Sequence, residues 1–181
     1  MKRIKFFLFV MGGTMFFLTG SCKKFDEFTQ FNLTYHSQAT IPATVSLNFP
    51  VDIPLPPVTT NSEEEFENNN THKDLVESIK LKDLELKVLD PVDGDFGFLS
   101  DIEIYISADD LPEKLLAWKH HIPDSVDGTL QLEVTDDELK DYLTQDRFNL
   151  RVKVTVDQLL TQDYEVDIKT VFHVDAKILG V

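Results

Sequence analysis

Cysteine is almost missing from this chain: its 181 residues include one, Cys22. A disulfide framework and any multi-cysteine zinc or iron–sulfur site are therefore excluded. Glycine is scarce as well, with seven residues, of which only Gly94, Gly97, Gly128 and Gly180 follow position 21. No glycine-rich strand-to-helix loop exists to cradle a nucleotide phosphate. Positive charge is short, 17 Lys and Arg against 32 Asp and Glu, for a net charge of −15. Phosphate-backbone binding needs clustered Lys and Arg, so nucleic acid is excluded as a partner. Long apolar runs are also lacking. The longest, Phe6 to Leu18, is interrupted by Gly12-Gly13 and falls short of the roughly 20 residues a membrane-spanning helix needs. What remains is a chain with 42% hydrophobic residues, enough for one domain with a core.

The first 22 residues read as an export signal: the basic stretch Met-Lys-Arg-Ile-Lys, the apolar run, then Thr19-Gly20-Ser21-Cys22. Leaving out residues 1–21 removes Lys2, Arg3 and Lys5 and no acidic residue, so the remainder carries −18. Small residues before a unique cysteine resemble the lipobox of bacterial lipoprotein precursors, cut by signal peptidase II. Here Thr19 stands three residues before the cysteine and Leu18 one further back, the looser form that resembles Bacteroidetes lipoboxes. The resemblance implies lipidation of Cys22, with palmitate-type acyl chains holding the protein on a membrane. Each buried methylene contributes about 0.8 kcal/mol to such an anchor. Lys23-Lys24-Phe25-Asp26-Glu27 resembles the export signals of surface lipoproteins in that phylum, and also reads as a plain solvated tether. The expected organisation is a signal peptide at 1–21, a lipidated tether at 22–27 and one domain at 28–181. The expected location is the outer membrane, on its periplasmic or cell-surface face.

The body of the chain alternates with period two, the signature of half-buried strands. Phe31, Leu33, Tyr35, Ser37, Ala39 and Ile41 share one face, and Val45, Leu47, Phe49, Val51, Ile53 and Leu55 share another. Pro42-Ala43-Thr44 between them suggests a hairpin, and Pro50 and Pro54 mark the second run as an edge strand. Residues 56–70, with the densest acidic run, read as a long surface loop. Thr71 and Asp74 suggest the cap of a short helix carrying Leu75, Val76 and Ile79. The apolar phase slips at Lys82-Asp83, which predicts a β-bulge. Asp90-Pro91-Val92-Asp93-Gly94-Asp95 is a turn, and Ile102, Ile104 and Ile106 make the next strand. Strands are also expected at 115–122 and 130–134. Thr135-x-x-Glu138 predicts a capping box opening a two-turn helix with Leu139, Tyr142 and Leu143. The long alternating runs 148–156 and 164–178 predict a C-terminal hairpin with Arg151 opposite Asp167 and Lys153 opposite Glu165. The whole is an all-β fold, an antiparallel immunoglobulin-like β-sandwich of about eight strands with one or two short helices. A small closed barrel is the alternative.

Chemistry is thinly represented. His36, His72, His120, His121 and His173 lack metal-ligand spacing. No Gly-x-Ser-x-Gly elbow is present, and Cys22 is committed to the anchor, so no nucleophile stands out. Asp90, Asp93 and Asp95, with Asp101 nearby, form a candidate calcium loop because Ca²⁺ takes several carboxylate oxygens. The alternative is an aspartate-rich turn that serves solubility. Trp118 with Tyr105 is a candidate carbohydrate-stacking platform, or Trp118 is a core plug. Asp124-Ser125-Val126 resembles the O-glycosylation acceptor used in Bacteroidetes, which implies modification of Ser125. No cofactor is expected. The function expected is a non-enzymatic binding or structural module with an envelope protein or glycan as partner. Carbohydrate binding and, further off, acid–base hydrolysis are the alternatives.

Overall fold

Alternation alone builds the first strand. In Gln30–Ile41 (β1) Leu33, Ala39 and Ile41 are buried, Phe31 and Tyr35 are half-buried, and every even-numbered position is exposed. The computed structural model describes residues 30–177. After β1 come β2 (Pro50–Pro54), β3 (Val58–Thr59), helix α1 (Ser62–Asn68), a 3₁₀ turn (Lys73–Leu75), β4 (Val76–Asp90), β5 (Leu99–Ala108) and β6 (Leu111–His120). They are followed by β7 (Thr129–Gln131), β8 (Glu133–Val134), helix α2 (Lys140–Leu143), β9 (Arg147–Val156) and β10 (Tyr164–Ala176). Cys22, the signal segment, Lys23 to Glu27 and Ile178 lie outside the described residues. Among the described residues, no helix is long and apolar enough to cross a membrane.

The strands form two antiparallel sheets, one in the order β1-β10-β4-β7 and the other β2-β9-β5-β6-β8, with β3 also on β9. This is the expected all-β sandwich, with ten strands where the periodicity suggested eight. Aromatic rings join its layers: Tyr35 of β1 lies 5.4 Å from Phe148 of β9, and Phe148 lies 6.0 Å from Phe172 of β10. The fully buried Phe148 and Phe172 are worth about 1.5–3 kcal/mol each. The bulge lies where the phase slips, since Val171 faces Asp83 while Phe172 faces Leu81, leaving Lys82 without an opposite number.

Pairing departs from expectation at both ends of the chain. The runs around 31–41 and 50–54 are no hairpin: β1 joins β10 in one sheet and β2 joins β9 in the other. β2 is nevertheless an edge strand. The C-terminal runs likewise separate, β9 pairing with β2 and β5 while β10 pairs with β1 and β4. Period two fixes which face of a strand is buried, but both sheets of a sandwich offer a buried face, so it leaves the neighbour open. Residues 56–70 are not a plain loop, because they hold β3 and α1, and Phe66 of α1 is fully buried. The predicted cap at Thr71 is absent: its hydroxyl donates to the Lys177 carbonyl (2.6 Å), and Val76 and Ile79 belong to β4. The capping box fails too. Thr135 bonds to carbonyls of β6, and α2 begins only at Lys140, while the Glu138 carboxylate accepts the Ile79 N–H of β4 at 2.9 Å. The 130–134 strand is split, β7 joining one sheet and β8 the other.

Register gives the sandwich two distinct ends. At the first, β1 begins at Gln30 beside the end of β10, and α1, the 3₁₀ turn and α2 cover the core. At the far end β1, β4, β6 and β9 finish, and residues 42–49, 91–98, 121–128 and 157–163 carry the chain onward.

Candidate functional site

The far-end loops are tied to one another before they are tied to anything else. Asp163 Oδ1 accepts the Ala43 N–H at 2.8 Å, and Val156 O accepts the Asn48 N–H at 2.7 Å, joining the first loop to the fourth strand end. Gln158 Nε2 donates to Gly97 O at 2.8 Å, and the Asp157 N–H donates to Phe98 O at 3.1 Å. The second and third loops touch backbone to backbone. A Cβ on Gly97 would lie 2.3 Å from the Asp124 carbonyl oxygen, and one on Gly128 would lie 2.7 Å from Gly94 O. Only glycine permits that approach. Beneath them Phe96 and Phe98 are buried, and the Phe98 ring lies 4.5 Å from that of Tyr164.

Above this floor, apolar side chains face water. Phe49 is 68% exposed, Val92 89%, Leu159 78% and Leu89, near the end of β4, 38%; these are the exposed large hydrophobics among the described residues. All four lie at the end opposite Gln30. The same four loops contain Asp93, Asp95, Asp124, Asp127, Asp157 and Asp163, all exposed, and no Lys or Arg. The far end therefore exposes apolar side chains and carboxylates together, with no Lys or Arg in its loops to balance them. Sequence reasoning missed these residues. Phe49 passed for one face of a strand, and Val92 for filler in a turn; the available signal was an apolar residue set among turn-formers and aspartates.

The candidate calcium aspartates are not gathered. Asp95 Oδ1 accepts the Gly97 N–H at 2.9 Å, and Asp101 stands on β5, its Oδ1 3.1 Å from His120 Nδ1. Among the described residues no three His, Cys, Asp or Glu side chains are grouped to hold a metal ion. Burial works against the Asp101 charge. Hydrogen bonds from Ser100, the His121 N–H and His120 outweigh it and hold the carboxyl below its usual range. Ser125 is exposed in the third far-end loop, whose turn closes with the Val126 N–H on Pro123 O at 3.1 Å.

Trp118 and Tyr105 do share a surface, the outer face of the six-stranded sheet. Trp118 pairs with Glu103, which points away from buried Ile102 and Ile104, so Trp118 is half-buried outside the core rather than a plug within it. Around them runs a charged lattice. The Arg151 guanidinium lies 4.2 Å from the Tyr105 ring centre, donates to Glu113 through Nε (2.9 Å) and Nη2 (2.6 Å), and pairs through Nη1 with Asp52. Arg151 therefore meets Asp52 and Glu113 where the sequence suggested Asp167, which instead accepts from His36 at 2.9 Å. Lys153 reaches Glu103 at 2.9 Å rather than Glu165. The Tyr105 hydroxyl donates to Glu103 at 2.7 Å, and this bond, with that from Lys153, holds the Glu103 carboxyl low. The lattice stitches β2, β9, β5 and β6, and most of its charges are spent on one another. Beside it a depression of about 240 Å³ is lined by Pro50, Asp101, Glu103, His120, Lys153 and Thr155. The carboxyls with resolved shifts, Asp101, Glu103, Glu113 and Glu138, are all held low, the opposite of what a general acid needs.

No protein-family model matches the chain, and no curated protein matches it.

Proposed function

We propose that this chain is a lipid-anchored, non-enzymatic recognition module of the bacterial cell envelope that binds a basic protein surface through its far-end loops. The observation that carries the reading is spatial. Cys22 lies eight residues before Gln30 in the sequence, and Phe49, Leu89, Val92 and Leu159 lie at the opposite end of the sandwich. A strand of twelve residues spans about 40 Å, so the far-end loops lie about that far from Gln30, and the reading assigns lipid to the sequence before Gln30 and the partner to the loops. Anchoring raises the effective concentration of the loops near other membrane proteins. The loops are cross-bonded and rest on buried aromatics, which lowers the ordering cost of binding.

Two measurements test it. Full-length protein made in bacteria incorporates labelled palmitate, and Cys22→Ala does not. Wild-type protein retains a partner from detergent-solubilised envelopes, and the triple variant Phe49→Ser, Val92→Ser, Leu159→Ser loses it. An unlabelled wild type, or undiminished retention by the triple variant, refutes the reading.

A second reading has an observation of its own. Trp118, half-exposed beside a depression lined by carboxylates and His120, has the composition of a sugar-binding surface: a ring to stack on and acceptors for hydroxyls. It predicts that added oligosaccharide changes Trp118 fluorescence, the chain's only tryptophan signal.

A further inference from the structure

Among the described residues the sandwich protects every sheet edge but one. β2 carries Pro50 and Pro54, which cannot donate to a ladder. β3 and β8 are two residues long. β7 has three residues, and beyond it the chain lies along β4, with the Leu132 N–H on Leu84 O (3.0 Å), the Leu139 N–H on Ile79 O (2.8 Å) and Glu138 on the Ile79 N–H. β1 has none of these devices. It is twelve residues long, pairs with β10 along one side only, and its sequence Gln-Phe-Asn-Leu-Thr-Tyr-His-Ser-Gln-Ala-Thr-Ile holds no Pro, Lys, Arg, Asp or Glu. Among the described residues no strand is hydrogen-bonded to its other side, although β2 of the facing sheet comes close to it. Such an edge is a template for another strand.

The space beside that edge has a definite chemistry. Phe31 and Tyr35 on β1, with Val51 and Val58 on the facing edge strands, are packed on the core yet only half-buried, so the described residues leave the apolar seam between the sheets incompletely covered. At the Gln30 end α1 stands next to it, with the Phe66 ring 6.2 Å from that of Phe31. α1 presents Glu63, Glu64, Glu65 and Glu67, all exposed, and none forms an ion pair among the described residues. Tyr35 crosses the seam to donate to Thr60 O at 2.9 Å, and beside Thr60 lies a depression of about 300 Å³ that Glu63, Glu64 and Asp146 help to line.

We propose that β1 accepts an added strand from another protein: an extended segment with apolar side chains at alternate positions and lysine or arginine at the end that meets α1. Backbone bonds to β1 supply affinity, the alternate apolar side chains cover Phe31, Tyr35, Val51 and Val58, and the basic end meets the four glutamates. This surface lies along the side of the sandwich and does not depend on the lipid anchor or on the far-end loops.

The test uses full-length protein in detergent and a twelve-residue peptide alternating valine and threonine with two lysines at one end. Binding protects every second amide of residues 30–41 from hydrogen exchange. N-methylating the peptide at one set of alternate positions abolishes binding, and methylating the other set leaves it intact, because only one set of N–H groups faces β1. Replacing all four α1 glutamates by Gln weakens binding of this peptide about tenfold but not that of a version with glutamines for its lysines. Should that variant fail to fold, the methylated pair still decides. The proposal falls if the parent peptide does not bind or if both methylated peptides bind like the parent. It falls equally if β1 gains protection with rising protein concentration and no peptide, which would make a second copy the occupant.

Discussion

The two ends of the sandwich treat apolar side chains in opposite ways. At the Gln30 end, α1, α2 and Leu139 just before α2 bury Phe66, Leu139, Tyr142 and Leu143 and turn Glu63, Glu64, Glu65, Glu67 and Asp141 outward. At the far end no helix among the described residues covers the loops, and Phe49, Val92 and Leu159 are exposed although Phe96 and Phe98 of the second loop are buried. Among the described residues, then, one end is closed and the other open. A fold that covers Phe66 with seven residues leaves Val92 exposed, and the proposed recognition role gives that exposure a use.

The largest expected effect is at the closed end. Phe66→Ala removes a ring with no exposure that touches Phe31, and should cost about 3–5 kcal/mol in denaturant-induced unfolding. A loss below about 1 kcal/mol would mean that α1 is an appendage and the comparison of ends is wrong. Next comes Gly97→Ala at the open end. Its methyl would stand 2.3 Å from the Asp124 carbonyl oxygen, which belongs to backbone and cannot swing aside, so a cost of about 1–3 kcal/mol is expected. Partner retention should fall with it, because the second and third loops would be pushed apart. Unchanged stability would show that those loops are not pressed together.

How much of this could be read from the sequence depends on the range of the interaction involved. The buried face of β1 and the bulge at Lys82-Asp83 were legible because period two is local: each residue announces its own face. The partner of Arg151 was not. Asp167 is close in sequence and opposite in charge, yet Asp52 and Glu113 are the neighbours once β9 joins β2 and, through β5, faces β6. α1 was hidden by its glutamates, which read as a solvated run, although Ser62 and Phe66, four apart and both buried, carry the helical signal. The Trp118–Tyr105 surface was legible as a pair, while its Arg151 centre was not. The far-end cluster was hardly legible, since it is assembled from four loops whose proximity is a property of strand order.

Glu138 offers a smaller effect at the closed end. Its Oε1 accepts the N–H groups of Ile79 and Lys140, both at 2.9 Å, and Oε2 accepts from Ser78 at 2.7 Å. Burial opposes its charge, but these bonds prevail and the carboxyl is held below its usual range. A carboxyl depressed in the folded state contributes stability above its unfolded pKa, near 4.3, and that contribution disappears as pH falls through the lower folded value. Glu138→Ala should therefore cost about 1 kcal/mol at pH 7 and progressively less below pH 4, seen as converging unfolding midpoints of variant and wild type. Parallel curves across that range would mean that the carboxylate does not guard the β4 edge.

The smallest stability effects belong to the open end, and they sharpen the comparison most. Phe49→Ser, Val92→Ser and Leu159→Ser remove side chains that are 68%, 89% and 78% exposed, so each should shift unfolding by no more than about 0.5 kcal/mol. If the three are surplus surface, the combined variant behaves as wild type in every assay, merely with less tendency to self-associate. If they are a recognition surface, binding is lost while the thermal midpoint stays within a few degrees of wild type. Truncating Phe66 reverses the pattern, since stability falls first and binding only as a consequence. Measuring both quantities on both ends separates a side chain kept to hold the fold together from one kept to meet something else. A distal variant that lost stability in step with binding would show that those residues pack against the loops after all, and the two ends would then be alike.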